Sequence, residues 1–329
     1  MTTSRPVRAT PRNNGAMGFR SVRQRLRQIA KSLALRIPPI KRAVEELDSH
    51  RQTFRFVPAG HFYSPLPSLD DVTRDAGRLF GPPPEALPGI DLNEAAQLAL
   101  LQEIKRYYGA LPFPAEKSAD RRYFYENTAY SYSDAIFLYG MIRHATPKRI
   151  VEVGSGHSSC VMVDTAELFL GGDVDFTFIE PYPGRLRSLL RPEDLGRVKI
   201  LAERVQDIGL EPFLALERND ILFIDSSHVM KIGSDVHHLL TEILPRLRPG
   251  VYVHIHDVLY PFEYPKNWIT EGRAWNETYA LRAFLTFNDV FEIVLFNTYL
   301  ERFHRDIFER DMPLCLKNEG GSIWLRRVR

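Results

Sequence analysis

From Pro147 onward the chain alternates short β-branched runs with helix-length segments, and this alternation constrains its fold more than any other feature. The runs are 149–153, 174–180, 198–202, 220–225 and 251–257, and the spacers between them predict helices near 158–170, 184–191, 209–217 and 232–247. Strands separated by whole helices join one sheet through crossover connections, so the pattern predicts parallel pairing in a doubly wound α/β sheet. Two later runs, 291–297 and 322–327, need no full helix between them and predict an antiparallel pair at one edge.

The upstream part reads differently. Nine of the 23 prolines fall between Pro58 and Pro114, so that stretch is mostly loop and extended chain. One helix interrupts it, with Asp91 and Glu94 as a capping-box-like start and Ala95, Leu98, Leu101 and Ile104 at helical spacing before Gly109. A second helix is predicted over 133–144, behind the aromatic cluster Tyr123, Phe124, Tyr125, Tyr130 and Tyr132. The expected organisation is an arm over 1–44, a Pro-rich helical extension over 45–120 and the main domain over 121–329. The extension shows no apolar core of its own, and a homo-oligomer would be one way to cover it.

The net charge of +2 conceals a split. Residues 1–44 hold eleven Lys and Arg and no acid, whereas the rest of the chain carries 32 basic against 41 acidic side chains. Within the arm, Val22, Leu26, Ile29 and Leu33 repeat at helical spacing with Arg23, Arg25, Arg27 and Lys31 on other faces. That is a basic amphipathic helix pattern, read first as a solvated face and otherwise as a contact for an anionic membrane or nucleic acid, or as a targeting segment. Two cysteines, Cys160 and Cys315, give no disulfide framework and no Cys-rich zinc site, so a cytoplasmic location is expected. No apolar stretch reaches the roughly 18 residues of a membrane span.

The chemistry concentrates at the ends of the predicted strands. Glu152-Val153-Gly154-Ser155-Gly156-His157-Ser158 runs from a strand through a small-residue turn into a helix, where backbone can approach a ligand and free N–H groups are presented. Glu180 ends the next strand, at the spacing where a carboxylate grips ribose hydroxyls in nucleotide-binding sheets. The third glycine of a dinucleotide fingerprint would fall at Ser159, which disfavours a nicotinamide-dependent oxidoreductase, and no Gly-Lys-Ser/Thr follows to make a P-loop.

With these motifs in order, residues 123–329 resemble the class I S-adenosylmethionine (SAM)-dependent methyltransferases, most closely the small-molecule O-methyltransferases of the macrocin type. The resemblance implies a seven-stranded sheet with an antiparallel C-terminal pair and SAM as cofactor. It implies cofactor contacts from Glu152, Gly154, Ser155, Gly156, Ser158, Glu180 and Asp225, with Asp207 beside the adenine.

Two further strand ends, Asp225-Ser226-Ser227-His228 and His254-Ile255-His256-Asp257, should open onto the same crevice. Methyl transfer to oxygen needs the hydroxyl deprotonated near pH 7, by a histidine base or by a hard cation that lowers its pKa. His228, His256 and Asp257 are therefore the candidate catalytic residues. Asp225, Asp257 and His256 are the candidate ligands for Mg²⁺, although His256 stands where a hard cation would prefer oxygen. His254 alternates with His256 along the strand, while His237 and His238 lie in a helical segment and read as structural.

The long loop 258–275, rich in aromatic residues, is the expected acceptor pocket or lid, and the acceptor is a small molecule. The fourth strand lacks the Asp/Asn-Pro-Pro-aromatic ending typical of amino-group methylation, so a nucleic-acid substrate is disfavoured. A nicotinamide-dependent oxidoreductase, an RNA-associated enzyme using the basic arm, and a non-catalytic binding module on the same fold are the competing readings.

Overall fold

The computed structural model describes residues 37–53 and 56–329. The amphipathic pattern at 22–33 and most of the basic arm lie outside the described residues. The chain divides into two units, Met1–Thr73 and Arg74–Arg329. The described part of the first holds α1 (Pro38–Thr53) and most of α2 (Leu69–Arg74), which ends at the division. Among the described residues no helix is long and apolar enough to cross a membrane.

The second unit is built on the sheet. After α3 (Ala76–Leu79), α4 (Glu94–Tyr108) and α5 (Tyr132–Ala145), the strands follow as β1 (Arg149–Val153), β2 (Asp175–Ile179), β3 (Lys199–Leu201), β4 (Ile221–Ile224), β5 (Tyr252–His256), β6 (Phe291–Phe296) and β7 (Ser322–Arg327). Their order in space is β3-β2-β1-β4-β5-β7-β6, parallel from β3 to β5 and antiparallel at β7 and β6. This is the doubly wound sheet with an antiparallel C-terminal pair that the alternation predicted.

The sequence explains the layering. Ile221-Leu222-Phe223-Ile224 is a continuous apolar run, buried at every residue, as a parallel strand covered on both faces requires. The α5 helix is apolar almost all round and buried along nearly its whole length, so it forms a layer of the core rather than a surface helix. It packs beside α4 and beside α6 (His157–Phe169). The chain winds outward from β1 through β2 to β3 and then returns to β4 on the other side of β1. The carboxyl ends of β1 and β4 therefore flank the switch point where such sheets bind ligands.

Four local expectations are corrected. The start of α4 is not capped by Asp91. Its carboxylate accepts from the Asn93 amide at 2.8 Å, while Asn93, in the left-handed region at φ 52°, is the residue that opens the helix. After α7 (Gly184–Leu189), the helix expected over 209–217 is the single turn α8 (Glu211–Leu214), behind a 3₁₀ turn at Val205–Asp207. The one expected over 232–247 changes pitch twice, from α9 (Asp235–His238) through a π turn (Leu239–Ile243) to a 3₁₀ turn (Leu244–Arg246). Pro245, which has no N–H to give the ladder, lies in the last of these.

The fourth correction concerns the segment between β6 and β7, which does contain helices: α12 (Asn297–Phe303), α13 (Arg305–Asp311) and a 3₁₀ turn at Pro313–Lys317. They form because Tyr299, Leu300, Phe308, Met312 and Cys315 are buried in the core that α5 also enters.

Candidate active site

The glycine turn after β1 is shaped by close approach. Gly154 has φ +79°, and a Cβ there would lie 1.8 Å from the Asp225 carbonyl oxygen, so both the conformation and the space demand glycine. The Gly154 amide donates to Ile179 O at 2.9 Å and the Asp225 amide to Val153 O at 2.8 Å, tying the ends of β1, β2 and β4 together.

The carboxylates on this side are satisfied internally, while Ser155 Oγ and His157 Nδ1 are buried without a hydrogen-bond partner. Glu152 is fully buried and accepts from the hydroxyls of Ser158, at 2.6 Å, and of Ser159. Burial pushes its carboxyl up to about 8, with the serine hydroxyls only partly offsetting that. Glu152 and Ser158 thus brace the start of α6 beneath the turn. Glu180 accepts from the backbone amides of Ser155 at 3.3 Å and Tyr182 at 2.8 Å, which fixes it beside the turn. Asp207 is not brought to the turn. It forms a bidentate pair with Arg204 at 2.6 and 2.8 Å and lines a separate groove with Arg149 and Lys199.

Across the switch point the pattern inverts. His228 is buried, with Nε2 3.3 Å from Asp225 and 3.5 Å from Asp257, and its Nδ1 lies 2.8 Å from Glu277 Oε2. Both His228, at φ 59°, and Asp257, at φ 55°, sit in the left-handed region, a strained placement for residues with a Cβ that clusters at functional positions. Asp225, His228 and Asp257 each offer a ligand atom, all within 4.8 Å of one another. His256 stands one step back, with Nε2 3.6 Å from Asp257, so His228 rather than His256 completes the three-atom cluster.

Three carboxylates around the imidazole govern its charge. Burial alone would lower the His228 pKa, but the hydrogen bonds and charges of Asp225 and Glu277 outweigh it and raise it to about 10. Burial likewise opposes ionisation of Asp225, yet His256 and His228 hold its carboxyl below the usual range. His256 is raised by Asp257, Asp225 and Asp134 against the effect of its own burial, and its Nδ1 has no hydrogen-bond partner.

His254 does share the face of His256, with ring centroids 6.0 Å apart. It is stacked on Phe223 at 4.0 Å, and burial holds it well below its ordinary value as a neutral core residue. His237 and His238 lie in α9, outside the cluster.

Glu277 was not among the residues expected at the site. It opens α11 (Glu277–Leu285), which follows α10 (Lys266–Thr270); an acid there looks like an ordinary first-turn charge, and only the tertiary fold brings it to His228. The Asn276 and Glu277 amides also donate to the His228 carbonyl, and the Trp275 ring lies 4.4 Å from the imidazole. The loop 258–275 therefore reaches the cluster through its last residue. In the upstream aromatic cluster, Tyr123, Tyr125, Tyr130 and Tyr132 are buried, and Tyr130 packs 5.1 Å from His256.

Comparison with known proteins bears on the domain that carries this site. Residues 151–258, spanning the glycine turn to the end of β5, match a family model described as a methyltransferase domain. An uncharacterized protein of Archaeoglobus fulgidus is 33% identical over 176 residues, covering 52% of this chain and 78% of that one. Among solved structures, an SAH-bound methyltransferase of Podospora anserina shares 14% identity, covering 80% of this chain and 96% of its own at a TM-score of 0.40. The O-methyltransferase TomG of Streptomyces achromogenes, in complex with SAM, shares 16%, covering 78% and 96% at a TM-score of 0.39. At such TM-scores these two likenesses add no argument to the strand order. Residues 151–258 match the methyltransferase-domain model, and the chain belongs to one family with the Archaeoglobus fulgidus protein.

Proposed function

We propose that the protein transfers the methyl group of SAM to a hydroxyl of a small-molecule acceptor. The observation that carries this reading is the pairing, across one switch point, of a preformed glycine turn with Glu180 and a cluster of Asp225, His228 and Asp257.

On the cofactor side, Gly154, Ser155 and Gly156 would underlie the methionine part of SAM. Glu180 would exchange its two backbone donors for the ribose hydroxyls, with Glu152 and Ser158 holding the turn from beneath. Asp207 would reach an adenine only by leaving Arg204.

On the acceptor side the residues fit a divalent cation such as Mg²⁺. Two carboxylates and one imidazole converge within 4.8 Å, and the excess of negative charge around His228 is what a cation would neutralise. Asp225 and Asp257 would hold such a cation, which would supply Lewis-acid polarisation of the acceptor oxygen and offset part of the negative charge that keeps His228 protonated. In its neutral form His228, oriented through Nδ1 by Glu277, would take the hydroxyl proton at Nε2, which leaves Asp225 and Asp257 as the cation's ligands. The oxygen then forms its bond to the methyl carbon as the carbon–sulfur bond breaks, and S-adenosylhomocysteine (SAH) leaves. Asp225, Asp257 and His256 hold the geometry and balance the charge around that transfer.

Thermal unfolding with SAM, SAH and NAD tests the reading. SAM and SAH at a hundred times Kd should stabilise by about 2.7 kcal/mol and NAD not at all. If neither SAM nor SAH moves the transition, the proposal fails.

A further inference from the structure

None of the site residues described above belongs to the first unit, Met1–Thr73, yet that unit carries the chain's excess of positive charge. It holds thirteen Lys and Arg against five acids, and all eleven basic residues of 1–44 precede the first acid, Glu45. Among them runs the apolar spacing of Val22, Leu26, Ile29 and Leu33, which the described residues continue at Ile37 and Ile40. Where α1 begins, Ile37 is 49% and Ile40 40% exposed, so at these positions the stripe is open to solvent rather than packed on the protein itself.

A second apolar surface follows α1. Phe56, Phe62 and Tyr63 all stand exposed, Phe62 at 90%. Their rings gather at one place, with Tyr63 6.1 Å from Phe56 and 5.3 Å from Phe62. Leu69, at the start of α2, is exposed as well. Among the described residues of this unit only Val72 is a buried apolar side chain, so the unit keeps its apolar groups on the outside. Apolar groups clustered on a surface mark a contact, whereas single ones do not.

We infer that the first unit binds an anionic lipid surface peripherally, its basic residues meeting the head groups while Ile37, Ile40, Phe56, Phe62 and Tyr63 enter the boundary with the acyl chains. Charge complementarity selects an anionic partner, and each Lys or Arg near such a surface strengthens binding about fivefold. The apolar residues then choose between a lipid and a nucleic acid. Phosphates of a nucleic acid would engage the arginines but leave the aliphatic stripe in water, whereas a lipid boundary covers both the stripe and the rings. Aromatic rings at a chain's surface suit that boundary, and Tyr63 brings a polar tip as well as an apolar body. The contact needs no spanning helix, and among the described residues there is none. It stands apart from the methyl-transfer reading, which uses only the second unit.

The test is co-flotation of the full chain with vesicles of phosphatidylcholine alone or mixed with phosphatidylglycerol, beside a titration with polyuridylate and sedimentation velocity without vesicles. The mixed vesicles should bind about tenfold or more tighter than phosphatidylcholine alone, and added salt should shrink that preference. Phe56→Ser combined with Phe62→Ser should weaken binding to the mixed vesicles about tenfold or more, and Arg23→Gln, Arg25→Gln and Arg27→Gln together should do the same. Both variants should leave the thermal unfolding transition in place, because the two rings are exposed. Equal flotation with both vesicles, no flotation, or flotation indifferent to Phe56 and Phe62 overturns the inference. Tighter binding to polyuridylate than to the mixed vesicles overturns it in favour of a nucleic-acid arm. Self-association that Phe56→Ser and Phe62→Ser abolish overturns it in favour of a second copy of the chain.

Discussion

The two sides of the switch point solve opposite problems. On the β1–β2 side each carboxylate is already paired, Glu152 with two serine hydroxyls and Glu180 with two backbone amides. On the β4–β5 side Asp225, Asp257 and Glu277 crowd one imidazole, and two residues carry left-handed backbone. The first is a shape waiting for a ligand. The second is a concentration of charge that a ligand or cation would relieve, so substitutions on the two sides should be felt by different measurements.

The largest expected effect is at Asp257. Asp257→Asn should lower turnover by about 10³-fold while SAH affinity, read by calorimetry, stays within about threefold. An equal loss of both would erase the contrast between the sides. Gly154→Ala should do the reverse and act on shape, costing about 3 kcal/mol in urea denaturation and abolishing SAM binding, because a Cβ meets the Asp225 carbonyl.

Glu277→Gln keeps the volume but weakens the hold on His228 Nδ1. It should reduce kcat about 10- to 50-fold with KM for SAM nearly unchanged, the split expected of a positioning residue.

A gentler probe of the cofactor side is pH. Glu152 binds its proton more tightly in the folded chain, at about 8, than at the ordinary 4.5. Its contribution is therefore fully present below 4.5 and lost as pH rises through 8, with a slope of at most about 1.4 kcal/mol per pH unit. Glu152→Gln should flatten the fall in urea midpoint over that window. If the wild-type midpoint does not fall there, Glu152 is not held as described. The smallest effect is expected at Asp207, already occupied by Arg204: Asp207→Ala should change SAM affinity by less than about threefold.

The same contrast explains what could be read in advance. The glycine turn, Glu180 and the strands around them were legible because their signals are local: a small-residue run after a β-branched run and a carboxylate at the next strand end. Asp225, His228 and Asp257 could be placed on neighbouring strand ends for the same reason. What no local pattern carries is the partner of His228, since Glu277 lies 49 residues away and looks like any helix-opening acid. Nor does the pattern show that His228, rather than His256, meets both aspartates, because that turns on the left-handed backbone at 228. The helices between β6 and β7 escaped for a related reason. Leu300, Phe308 and Cys315 look like loop residues until α5 supplies the surface that buries them.

The insertion of β7 between β5 and β6 has a consequence for synthesis. Until β7 is in place, β5 and β6 lack the strand that joins them in the folded sheet, and each shows an open edge. The sheet closes only when Ser322–Arg327 emerges and threads Ile323, Trp324 and Leu325 between them. The nascent chain therefore passes through a stage in which the cofactor turn can already be formed while the strand bearing Asp257 is still half paired. A chain truncated before Ser322 would be that intermediate, a chaperone-dependent, aggregation-prone product rather than a smaller enzyme.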